Sequence, residues 1–141
     1  MQATAKNQFT GKITQVAVGP VTCTVTVLSD SGESVTGTVN RAIFDELGCQ
    51  VGQDAVALVK ASSAILVMDE AGYRFSASNQ YKGKVISVDI DSAMGGAIVV
   101  LPSGRQLAAS VSRGAASSTT LHEGMEVTVM FKSYSVLLGV R

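Results

Sequence analysis

The chain has 141 residues, of which 46% are hydrophobic and 16% are charged, with four Phe, three Tyr and no Trp. This composition excludes a disordered chain and predicts an aliphatic core. Eleven basic and eleven acidic residues give a formal net charge of zero, which argues against the basic surface that binds a phosphate backbone. The first residues lack the apolar region of a signal peptide, and no apolar run has the roughly 20 residues of a membrane span. We therefore expect a cytoplasmic protein with no direct nucleic-acid or membrane partner.

A repeat runs the length of the chain. A shift of 72 residues, without any gap, aligns Asn7-Gln8 with Asn79-Gln80, Gly11-Lys12 with Gly83-Lys84, and Ser31-Gly32 with Ser103-Gly104. One register held over this length indicates an internal duplication. We therefore predict two modules, residues 1–69 and 73–141, joined by a short polar linker. Modules this small bury too little surface to be stable alone, so each should pack against the other copy or other chains.

The first copy predicts strands and hairpin turns. Apolar and polar residues alternate over residues 21–27 and 55–59, with many β-branched side chains, as is typical of β-strands. Turns are predicted at Asp30–Glu33 and, in the second copy, at Pro102–Arg105. In both, Gly can adopt a positive φ and Asp or Ser can bond the local backbone.

One short helix is predicted in each copy. Residues Arg41–Leu47 form the helical stretch of the first copy, with Gly48 as its C-terminal stop. The counterpart, residues 114–120, is a poor helix former and could equally be a loop. The order of elements predicts an all-β fold of two tandem, OB-like, five-stranded barrels, each with one short helix.

Residues suited to catalysis are sparse. The single histidine, His122, lies in a polar turn, and the glycine motifs of nucleotide-binding proteins are missing. Cys23 and Cys49 lack the spacing of a zinc site or a disulfide framework, which predicts free thiols. We expect no enzymatic activity, no metal held directly by side chains and no cofactor.

Hydroxyl residues and lysines recur at equivalent points of the two copies. They are Thr4–Asn7 with Lys60–Ser63, and Ser76–Asn79 with Lys132–Ser135. Hydroxyls, ammonium groups and free backbone amides are the donors that an oxyanion needs. Solvated turns are the alternative interpretation, and the pattern by itself identifies no ligand.

These segments resemble the molbindin (Mop) family. Its modules open with Ser-Ala-Arg-Asn, continue through a Gly-Ala-Val-Asn turn and close with Lys-Ala-Ser before a final apolar strand. The first copy has Thr4–Asn7, Gly19–Thr22 and Lys60–Ser62 at these places. The second copy keeps Ser76-Ala77, Asn79-Gln80 and Lys132, but has Asp91–Met94 at the turn. The family's arginine is replaced by Lys6 in the first copy and by Ser78 in the second.

The resemblance implies that molybdate or tungstate binds between modules of a homo-oligomer. A trimer is favoured because three tandem chains supply the six modules of a pseudo-sixfold ring. The implied oxyanion-binding residues are Thr4, Lys6, Asn40, Lys60, Ala61 and Ser62 in the first copy, and Ser76, Ser78, Ser112, Lys132 and Ser133 in the second. These oxyanions are deprotonated dianions at neutral pH. A site made only of donors would therefore reject hydrogen phosphate, and a cavity of their size would hold sulfate loosely.

Storage or buffering of the oxyanion is the function that this resemblance implies. The alternative is the detached ligand-sensing domain of a molybdate-responsive transcription regulator, although no basic helix-turn-helix precedes Met1. A module that binds single-stranded nucleic acid would need stacking aromatics and a basic groove. A purely structural tandem barrel is the remaining alternative.

Overall fold

The computed structural model describes residues 1–89, 94–112 and 121–141. In chain order the elements are β1 (Asn7–Val18), β2 (Thr22–Ser29), β3 (Ser34–Asn40), α1 (Arg41–Leu47), β4 (Asp54–Val59), the 3₁₀ turn η1 (Ala61–Ser63), β5 (Ile65–Val67), β6 (Asn79–Asp89), β7 (Met94–Val100), β8 (Gln106–Ser112), β9 (Glu126–Phe131), the 3₁₀ turn η2 (Ser133–Ser135) and β10 (Leu137–Val140). Every element of the first copy therefore has a counterpart in the second, except for α1, whose counterpart region lies outside the described residues.

Alternation in the sequence sets which side chains are buried. In β2, Cys23, Val25 and Val27 are buried, and the residues between them are partly exposed. Both predicted hairpin turns are confirmed, with Gly32 at a φ of 103° and Gly104 at 91°. The inward side chains of both copies join in one continuous aliphatic core.

The helix predicted at Arg41–Leu47 is confirmed. Its first turn is capped by Asn40, whose side-chain oxygen accepts a hydrogen bond from the amide of Ile43 at 2.8 Å. It ends at Gly48, which adopts the left-handed conformation at φ 64° and ψ 41°. The predicted counterpart at residues 114–120 lies outside the described residues, as do 91–93 of the predicted second-copy turn.

The ten strands form two antiparallel sheets of five. Their orders are β10-β4-β1-β2-β3 and β5-β9-β6-β7-β8. Each sheet thus contains four strands of one copy and the last strand of the other. Leu137 of β10 pairs with Leu58 of β4, and Ile65 of β5 pairs with Met130 of β9. The predicted all-β class of two OB-like, five-stranded units is confirmed. The exchanged strands cross the boundary that the repeat sets between residues 1–69 and 73–141.

The two copies face each other across a pseudo-twofold axis. The side chain of Asn7 donates to the carbonyl of Ala108 at 2.9 Å and accepts from its amide at 2.8 Å. Asn79 makes the same two bonds, at 2.9 and 2.8 Å, to the backbone of Thr36. Since 7 and 79, and 36 and 108, are equivalent positions of the repeat, one contact is made twice. Both asparagines are 2% exposed, so these bonds replace water entirely.

Aromatic rings fill the space on this axis. Phe9 and Tyr81 occupy equivalent positions and stack with their centroids 6.3 Å apart. Phe131 packs against Tyr81 at 5.6 Å. The hydroxyl of Tyr81 donates to the backbone carbonyl of Ser34 at 2.5 Å, which satisfies its polar end at the edge of the core.

A largely buried ion pair closes one end of the axis. The Nε of Arg105 donates to Oε1 of Glu33 at 3.1 Å, and the side chains are 20% and 11% exposed. The Oγ of Ser103 donates to the other carboxylate oxygen at 2.5 Å, and Ser31 also donates to the carboxylate. Burial alone would raise the pKa of Glu33, but the hydrogen bonds it accepts outweigh burial and leave its pKa below the ordinary value.

The reciprocal asparagine bonds predict equal losses at equivalent positions. Asn7→Ala and Asn79→Ala each leave a buried amide and carbonyl without a partner, so each variant should melt roughly 5–10 °C lower than the wild type. Thermal unfolding followed by circular dichroism measures this. Truncation of the exposed Gln106 to Ala is the control and should leave the melting temperature nearly unchanged. A loss at one asparagine alone would contradict the symmetric role.

Acid should remove the contribution of Glu33. Because its folded-state pKa is below the ordinary value of 4.5, the stability from its charge is fully present above that pH and is lost as pH falls through the folded-state pKa. Glu33→Gln removes this titration. The difference in melting temperature between wild type and variant should therefore be large at neutral pH and shrink well below pH 4.5. A constant difference down to about pH 3 would refute the assignment.

Candidate functional site

The predicted site residues of the first copy lie where β1 begins and β4 ends. Asn7 pairs with Val59 at the end of the β1–β4 ladder. The same antiparallel register sets the preceding Lys6 opposite the following Lys60, and both are exposed. Two ammonium groups are thus held at one end of the sheet.

The second copy repeats this arrangement with one cation fewer. Asn79 pairs with Phe131, so the register sets Ser78 opposite Lys132. Both residues are exposed. A hydroxyl therefore occupies the place that an ammonium group has in the first copy.

Glutamine side chains hold the segments that precede these strands. Gln8 donates to the carbonyls of Ala3 and Ala5 at 3.2 and 3.1 Å, on either side of Thr4. Gln80 does the same with Phe75 and Ala77, and so holds Ser76 in the equivalent place. The hydroxyls of Thr4 and Ser76 are exposed in both cases.

Lys60 and Lys132 are each followed by a 3₁₀ turn that contacts the other copy. η1 packs against β8 and η2 against β3. The Oγ1 of Thr38 in β3 donates to the Oγ of Ser133 in η2 at 2.7 Å. Ala61 is the counterpart of Ser133, so the junction of η1 with β8 has no equivalent hydroxyl on the turn.

The predicted residues are thereby divided between two junctions. Asn40 lies two residues beyond Thr38 on β3, which is the strand next to Lys132 and Ser133. Ser112 ends β8, the strand that contacts η1. Ser112 is therefore placed on the strand next to Lys60, Ala61 and Ser62, as Asn40 is on the strand next to Lys132 and Ser133. The oxygen of Asn40 caps α1, which leaves its amide nitrogen as the group that can donate to a ligand.

The junctions carry lysines that form no ion pair with any residue that the structure describes. Within the described residues, the ion pairs involve neither Lys6, Lys60 nor Lys132. The same described residues contain no group of three His, Cys, Asp or Glu side chains that could hold a metal ion. The lysine ammonium groups can only donate hydrogen bonds, and the hydroxyls can donate as well, which suits an oxyanion.

A family model for the TOBE domain matches the chain twice, over residues 3–66 and 76–138. The chain belongs to the TOBE-domain family. A solved structure of the cytoplasmic molybdate-binding protein ModG, with molybdate bound, superposes with a TM-score of 0.92 and 28% identity over 100% of both chains. The predicted resemblance to the molbindins is confirmed by these matches.

Curated relatives are named as transport proteins, pterin-binding proteins and regulators, and the last include the DNA-binding transcriptional dual regulator ModE of Escherichia coli, 29% identical over 99% of this chain and 52% of the relative. The molybdenum transport protein ModE of Herbaspirillum seropedicae is 34% identical over 100% of this chain and 52% of the relative. The molybdenum-pterin-binding protein MopB of Rhodobacter capsulatus is 27% identical over 99% of this chain and 52% of its own. The chain thus spans about half the length of these curated relatives.

Sequence reasoning missed the residues that connect the two TOBE domains. Thr38 was not among the predicted site residues, although it bonds Ser133 directly. Asn7 and Asn79 position the lysine-bearing strand ends from inside the core. The available signal was their identity in both copies, together with Thr38 standing on the same strand face as Asn40.

Other structural features of this TOBE-domain chain bear on the earlier expectations. Cys23 and Cys49 are free and buried, as predicted. Burial raises the pKa of the Cys49 thiol, which keeps it protonated. No helix in the described part of the chain is long and apolar enough to cross a membrane.

The hydrogen bond between the copies at η2 has a measurable weight. Ser133→Ala removes it and makes this turn resemble η1, so the ligand-free variant should melt roughly 3 °C lower. Ser135→Ala, in the same turn but exposed, is the matched control and should melt like the wild type. Equal effects of the two substitutions would show that the Thr38 bond contributes nothing.

Proposed function

We propose that this chain binds molybdate or tungstate as intact oxyanions in the cytoplasm, and that it stores or buffers them without transforming them. The observation that carries the proposal is the match, over the full length of both chains, to a structure of ModG with molybdate bound. Lysines and hydroxyls placed at equivalent points of the two copies support it.

The chemistry of the junctions suits a tetrahedral dianion. An anion between Lys6 and Lys60 offsets the repulsion of two ammonium groups that share one end of a sheet. Exposed hydroxyls of Thr4 and Ser62 lie on the segments that carry these lysines. The two ammonium groups can only donate, so they offer no acceptor to the proton of hydrogen phosphate, which is thereby disfavoured.

The two copies are proposed to bind unequally. The first copy has Lys6 and Lys60, whereas the second has Ser78 and Lys132, together with the hydroxyls of Ser76 and Ser133. Fewer cations weaken attraction for a dianion. We expect the first-copy set to dominate affinity, with Asn40 and Ser112 contributing from the strand ends.

Assembly into a homotrimer is part of the proposal. Ile65 and Leu137 begin the exchanged strands at equivalent positions, and their side chains are 63% and 66% exposed. β5 and β10 are sheet edges, so both apolar side chains and backbone groups there are available to a neighbouring chain. Three tandem chains would supply six modules, and ligand bound between modules would stabilise the ring.

A ligand-sensing role is the second candidate. The match to the DNA-binding transcriptional dual regulator ModE of Escherichia coli, over 99% of this chain and 52% of that protein, favours it. The two roles differ in cells that lack the chain. Loss of a store should lower retained cellular molybdenum after molybdate is withdrawn, whereas loss of a sensor should change transcription of molybdate-uptake genes first.

Ligand-dependent melting tests the binding function. At roughly 100-fold excess over Kd, molybdate or tungstate should raise the melting temperature by about 5–10 °C, and sulfate and phosphate should not. Lys60→Ala should abolish this rise, and Lys6→Ala should reduce it. In ligand-free protein neither variant should be destabilised, because each lysine has a like-charged neighbour and no described ion pair.

The control for these lysine variants is Lys82→Ala, which removes the same charge from within β6, where Lys82 pairs with Thr128 and not with a residue of the proposed sites. It should keep the full response to molybdate. No response of the wild type to any of the four anions would point to the purely structural tandem barrel.

A further inference from the structure

The Glu33–Arg105 ion pair joins equivalent positions of the two copies. The repeat displacement of 72 residues carries position 33 onto 105, and Ser31 onto Ser103. The hairpin turns that carry them meet on the pseudo-twofold axis, where each residue contacts its own counterpart, as Phe9 and Tyr81 also do. A self-contact of the repeat therefore carries opposite charges in the two copies.

We propose that Glu33 and Arg105 determine which copies pair, and that the partner this surface fits is an unlike copy. If two first copies met in the same geometry, two Glu33 carboxylates would face each other. Two second copies would instead oppose two Arg105 guanidinium groups. Only a first copy with a second places opposite charges in contact.

Burial gives this charge pattern its weight. The two side chains are only 20% and 11% exposed, so a like-charged pair would have little water to screen it. Like charges in such an interface cost far more than the same charges on a surface, and therefore exclude wrong partners. The side chains of the Lys12–Asp54 ion pair are 65% and 46% exposed, so water screens these charges and they would exclude wrong partners only weakly.

The asparagine contacts and the ring stack on the axis do not distinguish like from unlike copies. Asn7 and Asn79 are the same residue and bond the backbone of equivalent positions, so either pairing would satisfy them. A ring stack at position 9 or 81 is likewise available to any pairing. The charges at 33 and 105 are therefore the discriminating feature among these contacts.

The first copy also provides a built seat for the guanidinium group. Arg105 Nη1 donates to the carbonyl of Gln8 at 2.7 Å, and its Cζ lies 4.8 Å from the centroid of the Phe9 ring. On the other side of the axis, Tyr81 directs its hydroxyl to the carbonyl of Ser34, next to Glu33. The neighbours of positions 33 and 105 thus differ between the two copies, as their charges do.

Discrimination between like and unlike copies matters because each copy supplies the last strand of the other copy's sheet. A tandem chain whose copies complete each other's sheets can form the same contacts with copies from neighbouring chains. Opposite charges at one self-contact leave the first copy with the second as the favoured pair, whichever chains supply them.

Charge reversal in the full chain tests the proposal. Glu33→Arg and Arg105→Glu each create a like-charged, partly buried pair and should lower the melting temperature by about 10 °C. The double reversal Glu33→Arg/Arg105→Glu should recover at least half of that loss. Lys12→Glu, which sets two carboxylates together in solvent, is the matched control and should cost less than about 2 °C.

Mixing tests partner choice directly. The two single-reversal chains are unfolded together in equal amounts, refolded, and compared with each chain refolded alone. Copies of opposite charge are then available between chains, so the mixture should melt higher than either component. A mixture of wild type refolded with either variant should show no unfolding transition above the melting temperature of the wild type. A double reversal that melts no higher than the weaker single variant, or a mixture that melts like its components, overturns the proposal.

Discussion

The paired amide contacts of Asn7 and Asn79 are the constraint on which the rest of the molecule depends. Each side chain is 2% exposed and replaces a missing strand partner for the backbone of the other copy. An amide is suited to this place because it offers one donor and one acceptor, which match a peptide group. Asn7 pairs with the residue before Lys60, and Asn79 pairs with the residue before Lys132. The contact that joins the copies therefore also positions the candidate site.

The exchange of β5 and β10 makes the two halves mutually dependent. Neither sheet has five strands without a strand from the other copy. Gly37 of β3 leaves room for Leu138 of β10, since a Cβ there would come within 3.2 Å of that side chain. The junctions of η1 with β8 and of η2 with β3 each join elements of the two copies. A ligand bound there, as proposed, would therefore stabilise the packing of one copy against the other. This explains physically how a ligand there can stabilise an assembly.

Local features of the fold could be predicted from the sequence, and long-range ones could not. The turn at Asp30–Glu33 and the stop at Gly48 follow from residues whose backbone preferences act over a few positions. The exchange of β5 and β10 leaves no such signal, because equivalent strands of a repeat carry the same alternation and fit either sheet. The site is similar: Lys60 and Lys132 stand out as recurring residues, whereas the Thr38–Ser133 contact joins positions 95 apart.

The place of β10 in the first sheet has a consequence for synthesis of the chain. Leu137–Val140 pair with β4, so the first copy's sheet receives its outermost strand from residues that the ribosome makes only after β6 to β9. The first copy must wait, with the edge of β4 uncovered, while the second is translated and folds. Completion of the fold is thus a late event that closes both halves together, and a nascent chain halted before residue 137 has one strand too few in its first sheet.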